Sequence, residues 1–192
     1  MYDALKFRIA CRRDAPELAR LHYNSALTQP GGFMHLLGRN FLQAYYEVLL
    51  DEGSSTIVCA HRNEKELIGF VAGSIRAESR IAALKKHRPK LFFSSVQALI
   101  FNPRLIKEIR ARQDAGSAET GNGFVLTSGS HIEYWAWDVN GGGGAIALFK
   151  KWLSLMQLIG ITRVSGEVDD VNPEILKFHQ LLGALVTDEF LT

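Results

Sequence analysis

The stretch that decides the fold is Trp137-Asp-Val-Asn-Gly-Gly-Gly-Gly-Ala-Ile-Ala-Leu-Phe-Lys-Lys-Trp152, WDVNGGGGAIALFKKW. It opens in an aromatic-rich, strand-like run over residues 131–139 and then passes through four consecutive glycines. Behind them, Ala145, Leu148, Phe149, Trp152, Leu153, Met156 and Ile159 recur at helical spacing and form one broad apolar face. Each glycine adds backbone freedom that folding must remove. Four in a row therefore call for a use. A glycine loop between a strand and a helix leaves free N–H groups at the helix start, where the helix dipole favours an anion. The alternative is a turn with spare glycines, and spacing alone does not separate the two.

Outward from the loop the pattern is regular. Gly160 ends the helix, residues 162–168 read as a strand, and Asn172-Pro173 as a helix start with Asn as cap. Ile175, Phe178, His179 and Leu182 share a helical face, Gly183 ends it, and residues 184–191 read as a last strand. Upstream, residues 7–11 are a short first strand. Asp14-Ala-Pro-Glu17 reads as a capped helix start, and that helix runs to about Ala26. Gln29-Pro-Gly-Gly32 breaks the chain. A second helix follows, with Leu37, Phe41, Ala44, Tyr45, Val48 and Leu49 in phase. Residues 55–61 and 67–75 read as a hairpin.

Residues 78–129 do not continue this series. Residues 91–101 are apolar, 103–112 form a basic helix candidate, and 114–130 are rich in Gly, Ser and Thr. The stretch reads as an insertion or lid in a single domain spanning 1–192. From Arg76 to Arg112 there are ten Lys/Arg against Glu78 and Glu108, within a chain whose net charge is only +2. Such a balance does not suggest a global nucleic-acid-binding role. No apolar run reaches the ~20 residues of a membrane-spanning helix, and the first residues lack the apolar core of a signal peptide. The chain reads as cytoplasmic. Cys11 and Cys59 both sit in strand-like runs and read as two buried free thiols, with no disulfide framework and no metal site.

Three phosphate sites compete for the glycines. A P-loop requires Gly-Lys-Ser/Thr, and Gly144 is followed by Ala-Ile-Ala. A dinucleotide fingerprint fits Gly142-x-Gly144-x-x-Ala147, with Glu167 or Asp169 near the end of the next strand, but the front half shows no parallel α/β series. The third is an acyl-CoA site, and here the sequence resembles the GNAT N-acetyltransferase superfamily. Asn140-Gly-Gly-Gly143-Gly-Ala145 resembles that family's Arg/Gln-x-x-Gly-x-Gly/Ala loop at Gly143 and Ala145, with Asn140 in place of Arg or Gln. Asn172, Phe178 and Gly183 match a second signature in register, whereas Ile175, His179 and Ala184 depart from it. The resemblance covers roughly residues 6–76 and 130–192.

The resemblance implies an α/β fold with a mixed central sheet, helices on both faces, and a helical insertion between the third and fourth strands. It implies acetyl-CoA as acyl donor and no metal. The loop amides of Gly141, Gly142, Gly143, Gly144 and Ala145, with Asn140 beside them, would hold the pyrophosphate. The strand backbone from Trp135 through Trp137 to Val139 would pair with pantetheine, and Asn172 would lie near CoA. The implied reaction is direct attack of a small-molecule amine on the thioester. Glu133 is the candidate base, with Asp138 as runner-up, and His179 is the candidate acid at the position of the family's Tyr. Each has a plainer reading: a strand carboxylate in a salt bridge, and a core histidine. The basic insertion suits an anionic acceptor such as an amino sugar or nucleotide sugar. It equally suits a membrane surface or pairing with a second subunit in a homodimer. A non-catalytic acyl-CoA-binding module, a sensor or partner subunit, is the other functional class that the departures at Asn140 and His179 leave open.

Overall fold

The computed structural model describes residues 5–26, 33–53, 55–63, 66–107, 109, 128–168 and 173–187. Its elements run β1 (Lys6–Ile9), α1 (Ala15–Ala26), α2 (Gly38–Asp51), β2 (Ser55–Arg62), β3 (Glu66–Ser74), α3 (Ala77–Lys86), α4 (Arg88–Phe101), β4 (His131–Trp137), α5 (Ala145–Leu158) and α6 (Pro173–Leu181). The four strands form an antiparallel sheet in chain order. A single parallel bridge, His131 to Ser165, makes it mixed.

Strand alternation sorts the core onto two faces. Ile57, Cys59, Phe70, Ala72 and Ala136 meet Leu18, Leu42, Tyr46 and Leu49 of α1 and α2. Val58, Ala60, Ile68 and Val71 meet Leu148, Phe149, Trp152 and Met156 of α5. Central strand β3 is buried on both sides, which explains its near-continuous apolar sequence. Two of its glycines are required by contact. A β-carbon at Gly73 would sit 2.2 Å from Trp152 Cζ2, and one at Gly69 would sit 2.3 Å from Trp137 Cε3.

Several sequence expectations shift. Residues 162–168 form no strand and make one backbone bridge to the sheet, at Ser165, among the described residues, and residues 184–187 carry no strand; 188–191 lie outside the described residues. Cys59 is buried, and burial pushes its thiol up to about 12, but Cys11 is exposed. The insertion is anchored rather than free-standing over its described part. Leu84 and Leu91 pack on the α1/α2 core, and Lys90 Nζ lies 2.6 Å from Glu47 Oε2 of α2.

Asp14 does not cap α1 downstream as its spacing suggests. Its carboxylate turns back, accepting from the Cys11 N–H at 2.7 Å and from Arg8 Nη1 and Nη2 at 2.7 Å each. The Arg8 hydrogen bonds hold the Asp14 carboxyl down at about 2, against an ordinary 3.8. A depressed carboxylate contributes stability above its unfolded pKa and loses it as pH falls through the folded value. Stability should therefore drop between about pH 3.8 and 2. Chemical denaturation across that window is expected to show a flatter profile for Asp14→Asn.

Candidate functional site

The glycine loop borders a shallow, open depression. An open cleft of about 560 Å³ is lined by Trp137, residues 142–147 and Lys150. The loop reaches that shape in three steps. Asp138 first ties down its start: the Asn140 N–H donates to Asp138 Oδ1 at 2.9 Å, and the Gly141 N–H to the Asp138 carbonyl at 2.7 Å. Gly142 then turns the chain with φ +72°, and its carbonyl accepts from Trp137 Nε1 at 2.9 Å. Gly144, at φ +140°, starts α5, its carbonyl accepting from Leu148 N at 2.9 Å. The N–H groups of Ala145, Ile146 and Ala147 have no intrahelical acceptor, because they open the first turn.

The sequence-named loop residues therefore divide. Gly142, Gly143, Gly144, Ala145 and Trp137 line the cleft. Gly141 is buried against Ile68 and Trp137, and Asp138 occupies its amide. Asn140 lies outside the lining; its carbonyl accepts from Arg62 Nη2 at 3.3 Å, and its amide is held by Asp138. Val139 contributes backbone to the short 3-10 turn Val139–Gly141. Asn172 lies outside the described residues. Lys150 was missed. It stands four residues beyond Ile146 on the same helical stripe, so the i, i+4 rule would have found it.

Beside the loop the sheet opens. The Ile132 N–H donates to the Ser165 carbonyl at 2.9 Å, and the Ser165 N–H to the Ser130 carbonyl at 3.0 Å. Beyond that point no further bridge joins β4 to residues 162–168 among the described residues. The second edge of β4 from Glu133 to Trp137 is thus left without a strand partner there. Register also breaks at this point. Gly73 pairs with Ile132 and Ala72 with Tyr134, so Glu133 is the extra residue of a bulge. Glu133 and Tyr134 both turn toward the α1/α2 face, while Trp135 and Trp137 turn toward α5.

Glu133 is placed in a buried polar cluster. Tyr45 Oη donates to its Oε2 at 2.7 Å, Ser74 Oγ donates to Oε1, and Arg80 Nε of α3 lies 3.1 Å from Oε1. The two charged side chains are only 6% and 13% exposed. Burial, reinforced by the Glu133 charge, pushes the Tyr45 phenol far above its ordinary range, so it remains a donor. His131 Nε2 is 4.0 Å from Glu133 Oε1; burial, then Arg80, lowers its pKa and keeps it neutral near pH 7. Next to this cluster, His22 Nδ1 pairs with Tyr46 Oη at 2.7 Å, and its ring stacks on Tyr134 at 3.5 Å. The sequence singled out Glu133 but none of its partners. Arg80 comes from the insertion, and no local pattern connects it to β4.

His179 lies on the opposite face. Its ring packs edge-on against Phe149 at 5.4 Å, Phe178 at 5.5 Å and Trp135 at 6.4 Å. Burial among them lowers its pKa. Glu133 and His179 therefore flank β4 from its two sides and do not form one contact cluster. The runner-up base Asp138 is committed to the Asn140 amide.

No family model matches the sequence, and no curated protein matches it. Solved structures do match. An aminoglycoside N-acetyltransferase in complex with CoA superposes with TM-score 0.60 at 13% identity, over 98% of this chain and 93% of that one. An aminoglycoside 6'-N-acetyltransferase from Acinetobacter baumannii gives 0.57 at 12%, covering 98% and 96%. A ribosomal-protein-alanine N-acetyltransferase from Brucella melitensis biovar Abortus gives 0.55 at 14%, covering 98% and 97%. Likeness over nearly the whole of each chain, together with the element order and the glycine-lined strand-to-helix cleft, establishes that this chain has the GNAT fold.

Proposed function

We propose that the chain is an acetyl-CoA-dependent N-acetyltransferase that transfers an acetyl group directly to the amine of a small molecule. The observation that carries this reading is the cleft at the start of α5, opening beside a β4 edge that is unpaired past Ser165. In this reading the pyrophosphate sits on the amides of residues 142–147, with Lys150 supplying the cation that Asn140 does not. Pantetheine amides pair with the open edge of β4 as an added strand would. A backbone N–H there polarises the thioester carbonyl. Glu133 takes the amine proton, a neutral His179 steadies the leaving thiolate with an N–H hydrogen bond, and the nitrogen-bound proton released as the amide forms goes to that thiolate. No resident metal is required. An anionic acceptor, such as an amino sugar or nucleotide sugar, fits the basic insertion.

A second reading has a specific observation behind it. Both Glu133 oxygens are occupied, by Tyr45, Ser74 and Arg80, which suits a structural ion pair. A non-catalytic acyl-CoA-binding module needs nothing more of it. Thermal shift with acetyl-CoA, CoA and NADH tests the cofactor class: the first two should raise Tm and NADH should not. Thiol release over an amine panel then separates enzyme from sensor, since a binder that never releases thiol supports the second reading. Lys150→Glu should weaken CoA binding by about ten-fold, from one charge reversal near the phosphates. Equal affinity would remove Lys150 from the site.

A further inference from the structure

Helix α4 leaves its outer side uncovered by the described residues. Leu91 packs on the core, and Ser95 is buried toward α2. At 100° per residue, Phe92, Phe93, Val96 and Ile100 fall in one arc opposite those two, and the arc holds no charged residue. Phe92 is 58% exposed, Phe93 74%, Ile100 69%, and Phe101 at the helix end 81%. An apolar face of this kind on a folded domain marks an interaction surface.

The charges say what kind. Exposed cations stand at both ends of the 14-residue helix: Lys85 and Arg88 at its start, where Lys86 pairs with Glu52 at 2.9 Å, and Arg104 and Lys107 just past its end. Pairing two copies of α4 through this face brings like charges together in either orientation. Antiparallel helices set Lys85 and Arg88 against Arg104 and Lys107, and parallel helices set each end against itself. The face calls for a partner that accepts aromatic and branched apolar side chains between flanking anions. We propose that the outer face of α4 docks the protein peripherally on an anionic lipid bilayer surface. The Phe and Ile side chains enter the headgroup–acyl boundary, and the terminal Lys and Arg meet the headgroup phosphates. No described helix is long and apolar enough to cross the bilayer.

Flotation of the full chain with vesicles tests this without CoA or amine, so the outcome is independent of the acyl-transfer reading. The chain should float with phosphatidylcholine vesicles containing about a third phosphatidylglycerol, and high salt should release it. Pure phosphatidylcholine should bind much less. Phe93→Ser with Ile100→Ser should weaken partitioning about ten-fold or more. Arg104→Glu with Lys107→Glu should do the same through charge. Both variants should keep the parental melting temperature, because the altered side chains are exposed. Absence of flotation, or flotation that ignores both variants, overturns the proposal. So does a dimer in light scattering that the Phe93/Ile100 variant dissolves while vesicles are not bound, which assigns the face to a second copy. Binding to polyglutamate but not to vesicles assigns it to an acidic protein and equally overturns the lipid assignment.

Discussion

Arg80→Ala is expected to destabilise the protein by about 3–5 kcal/mol, because it leaves a buried carboxylate without its cation. The guanidinium of Arg80 is the charged partner of Glu133, whose side chain is 6% exposed. Tyr45 and Ser74 donate hydrogen bonds to the same carboxylate but supply no charge. Glu133→Gln should also destabilise, since it leaves the Arg80 guanidinium without its anion, although the amide oxygen still accepts one hydrogen bond. The double variant Arg80→Met, Glu133→Gln should recover most of the loss, since apolar and neutral replacements of a buried pair are often tolerated. Urea denaturation of the set measures the coupling. Recovery failing in the double variant would mean that Arg80 acts through something other than Glu133. The same set bears on mechanism. A general base removed by Glu133→Gln should lower the transfer rate by about 10²–10⁴-fold. A rate unchanged at saturating donor would leave the Glu133 carboxylate a purely structural role.

Gly144→Ala is expected to abolish stabilisation by CoA and to cost about 1–3 kcal/mol in the free protein. Its φ of +140° is strained for any L side chain, and the new β-carbon would lie 2.3 Å from Leu5 Cδ1 and 2.9 Å from Trp137 Cη2. Leu5 can swing aside. Trp137 cannot do so freely, because its ring lies against Gly69 and its indole N–H is held by the Gly142 carbonyl. The substitution therefore moves the floor of the cleft as well as its backbone. Gly143→Ala is the comparison. A β-carbon there meets nothing within 4 Å, so stability should hold while the added methyl stands where the anion approaches. A Gly143→Ala protein that still binds CoA at parental affinity would show that the anion does not need a bare backbone at that residue.

The order of elements was legible because it rests on local physics. The period-3.6 face of α5, the two apolar runs of the β2–β3 hairpin, and the Gly160 and Gly183 stops read correctly from neighbouring residues alone. The segment at 162–168 read as a full strand because its composition suits one, yet it bridges to the sheet backbone only at Ser165 among the described residues. Strand pairing is a long-range property, and β-propensity describes only how well a residue fits a paired position. Cys11 looked apolar in context but lies two residues past β1, exposed at the start of the short turn that leads into α1.

By itself the sequence determined that the chain has an α/β pattern, with a bare glycine turn between a strand and an amphipathic helix. Those features depend on residues a few positions apart, so one-dimensional spacing carries them. The tertiary structure alone decided which loop residues line the cleft, that Lys150 stands beside them, and that Glu133 is paired with Arg80 from the insertion. It also decided that the apolar side of α4 turns outward between two clusters of cations. Each of these joins groups distant in sequence, or chooses between two faces of one helix, and only packing makes that choice.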